Sequence, residues 1–221
     1  RQDENTANST VSYYTKGALV ALCLDLTLRS EERSTLDAVL RALWQRCAAG
    51  PMGEADVLAV LEQLAGRGFA TEIAQWVHGT QDLPLAELLG AHGVRLQAEP
   101  PQPAQRLGLR VQENHSVQIK AVLRGGLAER AGFMAGDEWL GIELAGGAGW
   151  RLAKLEDLAF YAGQAGAVTA LVARDQQLLR LALTLSEADA PVANIGLAIT
   201  DNALARRWLR DEPAITDEVL P

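Results

Sequence analysis

The chain holds 221 residues with 48 % hydrophobic and 22 % charged content, an ordinary globular composition whose length suits two domains better than one. Its net charge of −8 is spread along the chain: residues 1–100 carry 8 basic and 13 acidic side chains, the rest 12 and 15. Neither half has the basic patch of a nucleic-acid binder. The longest apolar run, Ala18 to Leu28, contains Asp25 and falls far short of the roughly 20 residues that span a membrane.

The first 97 residues read as successive helices. The stretch Val11-Ser-Tyr-Tyr-Thr-Lys-Gly-Ala-Leu-Val20 opens the most apolar of them. Ser34 is a good N-cap, with Asp37 three residues on, for a helix carrying Leu36, Val39, Leu40, Leu43 and Cys47 at helical spacing, stopped by Gly50-Pro51. Val57, Leu58, Val60, Leu61 and Leu64 form the next stripe, ended by Gly66. Thr71 is expected to cap a short helix with Ile73, Trp76 and Val77. Pro84 suits the first turn of another helix, with Leu85, Leu88 and Leu89 facing inward and Gly90 or Gly93 closing it. Cys23 and Cys47 lie on apolar faces and read as buried free thiols. His78, His92 and His115 have no histidine four residues away, so each is expected at the surface and not on a metal.

The stretch Ala98-Glu-Pro-Pro-Gln-Pro-Ala104, with three prolines, reads as an extended linker over 98–105. Beyond it the apolar period changes from 3.6 to 2. Residues 107–112 and 117–123 are expected as strands, 127–131 as a short helix, Lys154 to Tyr161 as a second, and 167–174 with 177–185 as a hairpin around Asp175-Gln176. The tail from 187 holds an expected strand, Asn194 to Ile199, then a short helix from Asn202 to Arg210 that Asp201 or Asn202 would cap. Its end, Glu212 to Pro221, is acidic. The fold class expected is multi-domain: an all-α helical subdomain over 1–97, then an α+β, partly open β-barrel with two helices over 106–186, then the tail.

Two resemblances attach to these motifs. Tyr14-Thr-Lys16-Gly17, together with Val77-His-Gly-Thr-Gln-Asp-Leu-Pro84, resembles the C-terminal part of the glycyl aminopeptidase family of zinc peptidases. The series Leu107-Gly-Leu109, Gly125-Gly-Leu-Ala-Glu-Arg-Ala-Gly132 and Ala135-Gly-Asp-Glu-Trp-Leu-Gly-Ile142 resembles a PDZ domain of the bacterial type.

The first resemblance implies that Tyr14 is catalytic, donating a hydrogen bond to the oxyanion of a tetrahedral intermediate, a role typically worth about 2.7–4 kcal/mol. It also implies zinc in the parent enzyme, held by a His-Glu-x-x-His helix that this chain lacks. The chain begins with Arg1 and reads as a fragment, expected to be inactive alone. The second resemblance implies capture of a peptide or protein C-terminus by strand addition. The receiving loop would be Arg106-Leu107-Gly108-Leu109, the strand edge Leu109, Arg110 and Val111, and the helix wall Leu155, Leu158 and Ala159, with Arg106 or Arg110 attracting the carboxylate. The same groove is equally open to the protein's own tail or helical part. Two readings therefore stand: part of a metallo-aminopeptidase, or a non-catalytic PDZ adaptor.

Overall fold

Apolar spacing along Tyr13–Ser30 places Val20, Cys23, Leu24 and Leu28 on one face of helix α2, and this face is the spine of the first core. The computed structural model describes residues 6–48, 50–147, 149–163, 165–185 and 194–209. Before α2 lies a single turn, α1 (Thr6–Ser9); after it come α3 (Leu36–Cys47), α4 (Glu54–Ala65) and α5 (Ala70–Ile73). Helix α5 runs without a break into a π-helix, Ala74–His78, and α6 (Leu85–Ala91) follows. Val39 and Leu43 of α3, Val60 and Leu61 of α4, then Phe69, Ile73 and Trp76 close over α2.

Polar groups fix how these helices join. Asp25 is buried on α2, accepts Arg29 Nε at 2.8 Å, and accepts the backbone N–H of Leu36 at 2.8 Å, so it tethers the start of α3. The cap of α3 is Thr35, whose hydroxyl accepts from Ala38 N, and not the expected Ser34, which is buried. Leu40 is exposed with Trp44 one turn on, although its spacing reads as core. Thr71 caps nothing, because α5 already begins at Ala70.

The strand β1 (Val94–Glu99) precedes α7 (Pro103–Leu107). The expected linker is thus largely ordered: residues 98–99 finish β1, and the third proline occupies the first turn of a helix. Proline's missing N–H costs nothing there, and Gln105 Oε1 accepts the N–H of Gln102 at 2.8 Å. Leu107 and Gly108, read as strand, are instead the last residue of α7 and its left-handed cap.

Then follow β2 (Leu109–Glu113), β3 (Val117–Val122), α8 (Leu127–Ala131), β4 (Glu138–Glu143), β5 (Gly149–Arg151), α9 (Glu156–Ala162), β6 (Ala167–Arg174) and β7 (Gln177–Thr184). The strands form an antiparallel sheet in the order β2-β3-β4-β6-β7, with β5 beside β4. Asp175 and Gln176 both take positive φ in the two-residue β6–β7 turn, which matches the strand twist. Trp139, Ile142, Val117, Ile119, Leu152 and Val172 fill its core. Asp137 is fully buried and takes a bidentate bond from Arg174, 2.7 and 2.8 Å, while also accepting from Met134 N.

The last described elements are β8 (Asn194–Ile199), paired with β1 in a two-stranded sheet, and α10 (Ala203–Leu209), capped by Asn202 Oδ1 on Ala205 N at 2.7 Å. Both sheets are open, so among the described residues the expected multi-domain α+β class is met with open sheets in place of the partly open barrel. Arg210, the acidic end Glu212–Pro221 and residues 187–193 of the tail lie outside the described residues.

The chain divides into two compact units. One joins the segment through Val11 to Ala98–Ile195; the other joins Ser12–Gln97 to the chain from Gly196 onward. The expected division was at 98–105 alone, with residues 1–11 in the helical part. Asn8 gives the physical reason: its side-chain amide donates to Val122 O at 2.7 Å and accepts from Arg124 N at 2.9 Å, extending the end of β3.

Candidate functional sites

Tyr14 stands in the first turn of α2. Ser12 before it has extended backbone angles but makes no side-chain cap bond, and no acidic residue sits in that turn. Tyr13 and Tyr14 are each 74 % exposed, with ring centroids 4.2 Å apart. A hydrogen bond with Tyr14 raises the Tyr13 pKa, and partial desolvation adds to it.

Two residues on, Lys16 Nζ donates to Gly79 O at 2.9 Å and to Val77 O at 3.2 Å, at the end of the π-helix. Gly79 closes that helix tightly: a Cβ there would lie 2.3 Å from Gln75 O. The two sequence motifs at 14–17 and 77–84 thus meet in space.

No three His, Cys, Asp or Glu side chains converge to hold a metal among the described residues, so the donors present do not fit a zinc site. His78 Nε2 bonds Glu54 Oε2 at 2.6 Å in an exposed pair, and His115 is exposed in the β2–β3 turn. His92 departs from its expected surface position. It is fully buried, its Nδ1 lies 2.9 Å from Leu88 O, and its ring meets Trp208 edge-on. A carbonyl only accepts, so the proton is on Nδ1, and Nε2 has no hydrogen-bond partner among the described residues. Nothing in the local pattern around residue 92 signals this, because the covering group comes from α10. Cys23 and Cys47 are free thiols; Cys23 is fully buried, which pushes its pKa up.

A second site is a groove of about 430 Å³ between α7 and α9. Of the residues expected there, Arg106, Leu107, Leu158 and Ala159 line it. Leu109 and Leu155 are instead in the core, Val111 packs partly against it, and Arg110 is exposed on β2. Gly108 N donates to Gln105 O and Arg106 N to Gln102 O. These two amides of the expected receiving loop already have backbone partners in α7. The Arg106 guanidinium is the cation at the groove. Strand β2 stands at the end of its sheet, with one edge unpaired by any strand among the described residues, and Glu113 at its end accepts from Leu155 N at 2.7 Å, fixing the entry to α9.

Sequence reasoning missed Pro103, Leu127, Ala162, Gly163, Ala165, Gly166 and Leu185 in the lining. The signal was the set Ala162, Gly163, Ala165 and Gly166, whose short side chains leave space beside a helix end.

No known family profile matches the chain, and no curated protein matches it. Among solved structures, an aminopeptidase N family protein from Idiomarina loihiensis is similar over 94 % of this chain, with 27 % identity and a TM-score of 0.79. A photosystem II D1 C-terminal processing protease aligns over 81 % of this chain and 45 % of its own at 17 % identity, but its TM-score of 0.31 carries no argument. The chain spans 38 % of the length of the Idiomarina protein. Its fold is therefore aminopeptidase-like, and the similarity runs through the helical and the sheet unit alike.

Proposed function

We propose that this chain is the C-terminal part of a metallo-aminopeptidase, in which Tyr14 stabilises the oxyanion and a PDZ-like unit binds peptide. The observation that carries the reading is the similarity to an aminopeptidase N family protein over nearly the whole chain, combined with a phenol left open at the head of α2. An exposed phenol hydroxyl is a ready donor toward charge developing on a substrate carbonyl oxygen. Zinc and its ligands would be supplied by polypeptide other than this chain, and the chain alone is inactive under this reading. The resemblance favours substrates with small N-terminal residues such as glycine.

The groove has its own chemistry. An apolar side chain seated against Leu107, Leu127 and Leu158 gains about 1.5–3 kcal/mol from burial, and a carboxylate beside it meets Arg106. This supports a peptide partner with an apolar residue at or near its C-terminus, and it is the observation that keeps the adaptor reading in view.

The test begins with the coding sequence preceding Arg1, which should contain His-Glu-x-x-His and a further Glu. In the polypeptide that carries both parts, Tyr14→Phe should lower kcat a hundred-fold or more with unchanged folding; a variant within three-fold of wild type removes the assignment. For the groove, labelled peptides ending in Leu or Val should bind this chain with micromolar affinity. Ala159→Trp, which fills the groove from an exposed position, should weaken them at least ten-fold. Equal binding by that variant overturns the groove assignment.

A further inference from the structure

We propose that Lys16 is the positioning residue for Tyr14: its ammonium clamps the first turn of α2 to the end of the π-helix and so sets where the phenol points. This inference rests on the reading of Tyr14 as the oxyanion donor.

The residue type is the first clue. A cation in the first turns of a helix opposes the macrodipole, which is positive there, so α2 gains nothing for its own sake from Lys16. The ammonium instead leaves α2 and reaches Val77 O and Gly79 O. Those carbonyls close a helix whose C-terminal acceptors would otherwise be orphaned, and whose end is negative. Charge-assisted bonds of this kind are about twice as strong as neutral ones.

The second clue is what the first turn lacks. It has no side-chain cap and no acidic residue, and both tyrosines project into solvent with 74 % of their surface exposed. A helix start without a cap frays. The Tyr14 ring lies against that of Tyr13, its neighbour on the same exposed turn, so its direction follows the backbone of residues 13–16. Lys16 is the side chain that ties that backbone to something rigid. The far anchor is rigid because Trp76, within the π-helix, is buried in the helical core beside Ile73 and Phe69. Gly79 then turns the chain out close over Gln75, where a Cβ would lie 2.3 Å from the Gln75 carbonyl oxygen. Core, π-helix, carbonyl pair, ammonium and first turn form one continuous path to the phenol. A π-helix at a functional site is a recurring device.

Hydrogen exchange on this chain tests the clamp without any catalysis. The amides of Lys16, Gly17 and Ala18 close the first turn, Lys16 N bonding Ser12 O at 2.9 Å. In Lys16→Met these amides should exchange at least ten-fold faster while those near Leu24 and Leu28 keep their rates. Lys16→Arg, which restores a cation, should recover most of the protection. If Lys16→Met does not fold, Lys16→Gln provides the same comparison with one donor group left. Unchanged exchange at 16–18 in a folded variant overturns the clamp.

Kinetics on the polypeptide carrying both parts then separates the two claims. Lys16→Met should lower kcat at least ten-fold with KM within three-fold, and should cost little further in a Tyr14→Phe background, since both act through one phenol. Full activity of Tyr14→Phe refutes the role of Tyr14 and leaves the exchange result standing. A deep loss in Tyr14→Phe beside normal rates in Lys16→Met refutes the positioning role alone.

Discussion

Replacing Gly17 by alanine should stabilise this chain. Glycine inside a helix costs about 0.8–1.0 kcal/mol relative to alanine, because its backbone loses more freedom on folding. Gly17 lies in α2, and a Cβ built on it meets no heavy atom within 4 Å, so no clash subtracts from the gain. The site is one turn from the helix start, where partial fraying discounts the benefit to about 0.5–1 kcal/mol. At a urea slope of about 2 kcal/mol/M this moves the unfolding midpoint up by about 0.25–0.5 M, measurable by circular dichroism at 222 nm, which follows the helices. The same methyl group would stand three residues from Tyr14 and four from Tyr13, on their face of the helix. In the proposed peptidase it should therefore obstruct a substrate or a neighbouring segment and lower the rate at least ten-fold. Opposite signs for stability and activity are the expected pair. A destabilised variant shows that the space is not open. A stabilised variant with full activity shows that this face approaches nothing.

Tyr13 and Tyr14 give a titration that needs no substrate. The bond to Tyr14 raises the Tyr13 pKa above its ordinary 10.0. A raised folded-state pKa means that its contribution to stability is complete below the unfolded phenol's pKa and is lost as pH rises through the folded value. Absorbance at 295 nm should show one phenol titrating late in the wild type, and its midpoint should fall in Tyr14→Phe; an unmoved midpoint removes the Tyr13–Tyr14 bond. In the sheet unit, Asp137→Ala strips a fully buried carboxylate from Arg174, which retains 22 % side-chain exposure. Breaking a buried pair costs about 3–5 kcal/mol, and water reaching Arg174 places this one near 3. Chemical denaturation followed by Trp139 fluorescence measures it, and a loss under 1 kcal/mol refutes the pair's structural role.

Much of the local organisation was legible along the chain. The 3.6-residue spacing of Val60, Leu61 and their neighbours, the glycine after α4, and the alternation through β6 and β7 each report a condition met within about ten residues. Errors arose where one residue type has two uses. Proline was read as a helix breaker at 103, yet at a first helical turn it is favoured. Ser34 and Thr35 both offer a cap, and burial of the serine decided between them. The fold class, helices followed by a mixed α+β part in a multi-domain chain, was legible at that coarse level, and open sheets replace the partly open barrel.

The motifs Tyr14-Thr-Lys-Gly17 and Val77-His-Gly79 were visible as separate strings, but not that Lys16 joins them across more than sixty residues. Nor could any window show Asn8 completing the end of β3, α10 sealing His92, or α7 taking in Leu107 where a strand was expected. Helix and strand follow from the periodic burial of nearby side chains, so the amino-acid order settles them one by one. Which groups from distant segments share a hydrogen bond depends on how finished elements pack, and that is decided only when the chain has closed on itself.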